Sequence, residues 1–117
     1  MTPTLRILLA DDSALVRHAL SRRLRALGYE VVEADTDEDA QAVDAATITF
    51  VVMDLELGVA DGTETAARIF AANPSVRVAF FTSGSSAEVL LRAKAIGPVF
   101  AKPDEFEQLI AWMRSEP

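Results

Sequence analysis

Five short apolar runs alternate along this chain with segments of helical period, and that alternation limits the folds open to it. Leu5 to Ala10 is too short for a helix and suits a buried strand. Ser13 then stands where a helix N-cap belongs. Leu15, Val16, Ala19, Leu20, Leu24 and Leu27 follow at helical spacing, and Gly28 closes the helix. Tyr29 to Ala34, with Val31 and Val32, reads as a second strand, and acid-rich Asp37 to Ala46 as a second helix. Phe50 to Met53 is a third strand ending at Asp54, and Gly58 to Gly62 is a loop. Thr63 to Ala72 is a third helix, closed by Asn73-Pro74. Val76 to Thr82 is a fourth strand, and Ser86 to Ile96 a fourth helix ended by Gly97-Pro98. Val99 to Ala101 is a brief fifth strand. The last helix, from Asp104 onward, carries Phe106, Leu109, Ile110 and Met113 on one face. Strands alternating with helices imply an α/β fold: five parallel strands in one sheet, covered on both faces. Right-handed crossovers make the layout doubly wound.

The 117 residues suffice for one domain, spanning 1–117, with a single core. Half are apolar and a quarter charged, as in ordinary globular chains. There is no cysteine, which excludes disulfide scaffolds, zinc-thiolate sites and thiol catalysis. The apolar runs are too short to span a bilayer, and MTPTLRILLADD reaches acid too early for a secretory signal. A cytoplasmic location without membrane contact is expected. The net charge of −7 argues against direct nucleic-acid binding. The charges are segregated. Ser13 to Tyr29 holds Arg17, Arg22, Arg23, Arg25 and His18 without an acid, whereas Glu30 to Asp44 holds seven acids without a base. Two solvated helix faces would explain this; so would a basic helix that docks a partner.

Polar residues gather at the strand ends. The first strand ends in Asp11 and Asp12, the third in Asp54, the fourth in Thr82, Ser83 and Gly84, and the fifth in Lys102 before Pro103. Parallel strands would bring all of them to one edge, where doubly wound sheets bind ligands. Three carboxylates packed together repel, and a hard divalent cation with oxygen ligands, such as magnesium, relieves this. A carboxylate nucleophile suits phosphoryl transfer, which depends mostly on positioning and charge neutralisation. Lys102 and magnesium would neutralise phosphoryl oxygens, and the Ser83 hydroxyl would hydrogen-bond to one.

The segments ILLADDS at 7–13, VVMDLELGVADG at 51–62, FFTSG at 80–84 and AKP at 101–103 appear in that order, each at a strand end. In this the chain resembles the receiver domains of two-component response regulators over nearly its whole length. The resemblance implies a flavodoxin-like sheet of order 2-1-3-4-5. It implies that Asp54 accepts a phosphoryl group from a sensor histidine kinase or a histidine phosphotransfer protein. Asp11, Asp12, Asp54 and the backbone carbonyl of Glu56 would hold Mg2+, and Lys102 would contact the phosphoryl group. The Lys102-Pro103 bond would be cis. Ser83 fits the switch hydroxyl best, with Thr82 as the second candidate. The output would be a phosphorylation-dependent protein-interaction surface on the fourth helix, fifth strand and fifth helix, with a weak homodimer left open. No turnover of an external substrate is expected.

The chain departs from the family pattern at several positions. Gly58 stands where the family often has proline. Val99 stands where it often has Tyr or Phe, and Phe100 falls on the opposite face by strand alternation. The segment from Ser83 to Lys102 is short, so a truncated or displaced fourth helix is expected. The Glu56 side chain should sit at the rim of the site, where it could alter access of the hydrolytic water. Trp112 falls off the apolar stripe of the last helix, either exposed as a contact or folded down as peripheral core. Three alternatives stay open: a pseudo-receiver that works without phosphorylation, a receiver belonging to a hybrid kinase, and an aspartate-nucleophile phosphatase of the haloacid-dehalogenase type. The last normally carries its nucleophile on the first strand.

Overall fold

The computed structural model describes residues 4–115. Strands β1 (Arg6–Ala10), β2 (Glu30–Ala34), β3 (Phe50–Met53), β4 (Arg77–Thr82) and β5 (Val99–Ala101) form one sheet in the order β2-β1-β3-β4-β5. Every neighbouring pair is parallel. The chain moves outward from β1 to β2, then crosses back to β3, so the strand order reverses between β1 and β3. Helices α1 (Ala14–Ala26), α2 (Asp37–Ala42), α3 (Gly62–Ala72), α4 (Ala87–Lys94) and α5 (Phe106–Arg114) cover the two faces.

Successive residues of each central strand enter opposite cores, which is why these strands are apolar throughout. Leu8, Val51, Met53, Val78 and Phe80 pack with Ala40, Ala66, Ile69 and Ala93 beneath α2, α3 and α4. Ile7, Leu9, Val52, Ala79 and Phe81 pack with Leu20, Leu24, Phe106, Leu109 and Met113 beneath α1 and α5. Each large side chain buried this way contributes about 1.5–3 kcal/mol. The helices start where side chains can accept their free N–H groups. Ser13, Thr36 and Ser86 accept from Val16, Asp39 and Val89.

Some elements differ from the sequence expectation. The second helix stops at Ala42, because Val43 is extended and Asp44 caps a separate 3₁₀ turn over Ala45–Thr47. The segment expected to be a plain loop forms a small antiparallel ribbon, Glu56–Leu57 against Ala60–Asp61. Gly58 makes its turn at φ 63°, a conformation that glycine adopts without penalty. The fourth helix is short, as expected, with eight residues and only Ala93 fully buried. The last helix begins at Phe106 rather than Asp104. Leu15 lies on the apolar stripe of α1 but is 83% exposed.

Val99 packs toward α3 and α4 while Phe100 packs toward α1 and α5, as alternation requires. Trp112 is peripheral core. Its ring lies 6.0 Å from that of Phe50 and 6.4 Å from that of Phe100, and the Arg77 guanidinium sits 4.6 Å from its centroid.

Candidate functional site

The strand ends place their polar residues together at the point where strand order reverses. Asp11 follows β1 and Asp54 follows β3; both are buried, while Asp12 is exposed. Each of the three offers a carboxylate oxygen, and these atoms lie within 4.8 Å of one another. Backbone amides hold them there. Ser13 N–H donates to Asp11 Oδ1 at 2.9 Å, Gly58 N–H to Asp12 Oδ2 at 3.1 Å, and Glu56 N–H to Asp54 Oδ1 at 3.2 Å. The ribbon thus does two jobs, since its first strand supports Asp54 and its turn supports Asp12. Gly62 is also required here. A Cβ on it would lie 2.0 Å from the Asp54 backbone oxygen, so only glycine lets α3 begin this close to the end of β3.

Lys102 crosses from the end of β5 into the acid cluster. Its Nζ donates to Asp54 Oδ2 at 2.9 Å and also to Asp11 Oδ2. Burial alone would lower the pKa of this ammonium. The hydrogen bonds and charges of Asp11 and Asp54 outweigh burial and hold it above its ordinary value. One ammonium faces three carboxylates, so the cluster has an excess of negative charge and only hard oxygen donors. That donor set fits a divalent cation held by oxygen. The Lys102-Pro103 peptide is cis, as expected.

The two hydroxyl candidates separate clearly. Thr82 is buried, and its Oγ1 lies 3.3 Å from Asp54 Oδ1 and 3.3 Å from the Gly84 carbonyl oxygen, two acceptors for its one proton. Ser83 is exposed at the mouth of the cleft. Among the described residues, Thr82 and not Ser83 reaches Asp54. The reason is strand pairing: Lys102 N–H donates to the Thr82 carbonyl at 2.8 Å, so Thr82 is still held in the sheet. Ser83 lies beyond the last pair, and the chain turns away through Gly84 at φ 137°.

The Glu56 side chain is exposed and lines the same cleft, whose volume is about 650 Å³. From the acids the cleft runs between α1 and α5, past Leu15, Val16, Leu20 and Phe106 to Arg23. The exposed Leu15 is part of its wall. Asp61, at the other end of the ribbon, caps α3 by accepting from Thr63 N–H at 2.9 Å. Its second oxygen accepts from Arg92 of α4 at 2.7 Å. Burial would raise the pKa of Asp61, but the hydrogen bonds from Thr63 and Arg92 prevail and hold it below the usual range.

A family model described as the response regulator receiver domain matches residues 7–114. The chain belongs to this family. It is 31% identical over 110 residues to the transcriptional regulatory protein PdtaR of Mycobacterium tuberculosis, covering 90% of this chain and 53% of that protein. It is 30% identical over 105 residues to protein-glutamate methylesterase/protein-glutamine glutaminase 2 of Caulobacter vibrioides, covering 85% and 30%. The chain therefore spans about half or less of the length of these curated relatives. A response regulator from Burkholderia pseudomallei, solved with a phosphorylated aspartic acid, a calcium ion and citrate, superposes with a TM-score of 0.84. The identity is 26%, covering 95% of this chain and 67% of that one. A two-component response regulator of the LuxR family from Aurantimonas sp. SI85-9A1 gives 0.79 at 30% identity, covering 95% and 83%. As a receiver domain the chain serves phosphorelay signalling. Among the described residues no helix is long and apolar enough to cross a membrane.

Proposed function

We propose that residues 1–117 form one receiver domain that accepts a phosphoryl group on Asp54 from a phosphohistidine of a sensor kinase or phosphotransfer protein. The observation that carries this reading is the setting of Asp54. One oxygen is engaged by Lys102, and the other by Thr82 and the Glu56 amide, at the head of an open cleft. An Asp54 oxygen would attack phosphorus; the P–N bond breaks, and the imidazole leaves and takes up a proton. Later a water oxygen attacks the same phosphorus, the P–O bond to Asp54 breaks, and the carboxylate and inorganic phosphate are released.

Mg2+ is the proposed cation, held by Asp11, Asp12, Asp54 and the backbone carbonyl of Glu56, and when bound it supplies positive charge to the phosphoryl oxygens. Lys102 would turn from Asp54 toward a phosphoryl oxygen, with its raised pKa keeping it cationic. Thr82 is proposed as the switch hydroxyl in place of Ser83, because its Oγ1 is already directed at Asp54. Drawing Thr82 and Lys102 inward would move the ends of β4 and β5. The lightly buried α4 lies next to both and would pass the change to a partner surface. The domain itself would turn over no external substrate, and what lies downstream of it is a protein partner.

Beryllofluoride, a mimic of the aspartyl phosphate, tests this directly. We expect it to raise the Tm of the parent only when Mg2+ is present, and to leave Asp54→Asn unchanged. No Mg2+-dependent shift in the parent would favour a phosphorylation-independent interaction module instead.

A further inference from the structure

Arg17 sits on α1 one turn beyond Ser13, and its side chain is only 11% exposed. Its forked head makes two bonds in different directions. Nη1 donates to the backbone oxygen of Asp11 at 2.9 Å, and Nε donates to Glu33 Oε1 at 3.1 Å. Glu33 lies on β2 and has two further nitrogen neighbours. His18 Nε2 is 3.5 Å from Oε1, and Arg25 Nη2 is 3.8 Å from Oε2.

The oxygen that Arg17 grips belongs to the peptide joining Asp11 to Asp12. The N–H of Asp11 is held as well, by the Ala34 carbonyl at 3.1 Å. The backbone of Asp11 is therefore fixed on both sides. This matters most for Asp12. Asp11 is buried and its carboxylate has Ser13 and Lys102 as partners, whereas Asp12 is exposed and has the Gly58 amide alone among the described residues. The aim of Asp12 depends on the peptide in front of it.

We propose that Arg17, braced by Glu33, is a positioning residue for the divalent-cation site, fixing the Asp11–Asp12 peptide so that both acids face the ion. This rests on the reading that the acid cluster binds such a cation. The sign of the effect separates positioning from electrostatics. A nearby guanidinium repels a cation, so if charge were all that mattered, removing Arg17 would tighten binding. If Arg17 positions the acids, removing it weakens binding despite the lost repulsion, as for other residues that orient metal ligands. A lysine keeps the charge but loses the planar fork that bridges two acceptors.

Calorimetric titration of the parent, Arg17→Gln and Arg17→Lys with MgCl2, alongside Tm in EDTA, decides the matter. We expect Kd for Mg2+ to rise about tenfold in Arg17→Gln and by a smaller factor in Arg17→Lys. Unchanged or tighter Mg2+ binding in both variants would overturn the proposal, whatever happens to Tm. Unfolding of both variants would make Arg17 a structural residue and overturn it as well. A parent that binds no Mg2+ would remove the cation site itself, a different failure from a parent that binds alongside variants that bind equally well.

Discussion

At the scale of single residues, one lysine supplies the counter-charge for the two buried acids, Asp11 and Asp54. Replacing Lys102 by Met leaves Asp11 and Asp54 facing each other without a counter-charge. We expect a loss of about 3 kcal/mol in EDTA, the low end for breaking a buried ion pair because the cleft admits water. Adding Mg2+ should restore much of it, as denaturant titration with and without the ion would reveal; equal losses in both conditions would mean the cluster takes no cation. Thr82→Ala should change the decay rate of the aspartyl phosphate by about tenfold, the equivalent of about one hydrogen bond, while Ser83→Ala leaves it near the parent value. The reverse ranking would return the switch role to Ser83. Glu56→Gln removes a carboxylate from the rim and should change that decay by several-fold, whereas equal lifetimes would make Glu56 an inert surface acid. The acids and Lys102 were legible in the sequence because each ends a short apolar run abruptly. Which of Thr82 and Ser83 lies against Asp54 was not, since only the pairing of β4 with β5 decides which hydroxyl is the last one in the sheet. Arg17 left no signal, because its link to the site is through a backbone oxygen, and one arginine among four on a helix looks like any other.

At the scale of elements, one residue, Asp61, joins the ribbon to both α3 and α4. Asp61 caps α3 with one oxygen and holds Arg92 with the other, and Arg92 also lies 3.4 Å from Glu88. Asp61→Asn keeps the cap and loses the ion pair, while Asp61→Ala loses both. We expect the Ala variant to be less stable than the Asn variant by about 1 kcal/mol, the usual contribution of an N-cap. Equal stabilities in urea would mean the cap contributes nothing here. The pH dependence follows from the lowered pKa of Asp61. Its stabilising contribution is complete above the ordinary carboxylate range, near 4, and is lost as pH falls through the lower folded-state value. The parent should therefore lose stability below pH 4 more steeply than Asp61→Asn; parallel curves would show that the pair is fully screened. Helix and strand order was readable from periodicity, but the ribbon was not, because two-residue strands carry no period. The break in the second helix lay in Asp44, a capping residue that resembled one more acid in an acidic segment. Leu15 fits the stripe of α1 by spacing, yet spacing cannot distinguish a core face from the wall of a cleft.

At the scale of the whole molecule, a doubly wound sheet gathers residues far apart in sequence at one edge, and the segregated charge surrounds that edge unevenly. The basic face of α1 is less free than its composition suggests. Arg23 stacks 3.7 Å from the centroid of Phe106 and pairs with Glu107 at 3.2 Å, and Arg17 and Arg25 are drawn to Glu33. Arg22 is exposed. Arg22→Glu should therefore slow phosphoryl transfer from a kinase while leaving transfer from a small phosphodonor unchanged; equal slowing with both donors would exclude docking as its role. All of this depends on Asp54 being the acceptor, so the most direct measurement is intact mass after brief incubation with Mg2+ and phosphoramidate or acetyl phosphate. We expect a single phosphoryl adduct on the parent, absent without Mg2+ and absent from Asp54→Asn. An adduct that persists in Asp54→Asn, or no adduct on a parent that also fails to bind beryllofluoride, would contradict it.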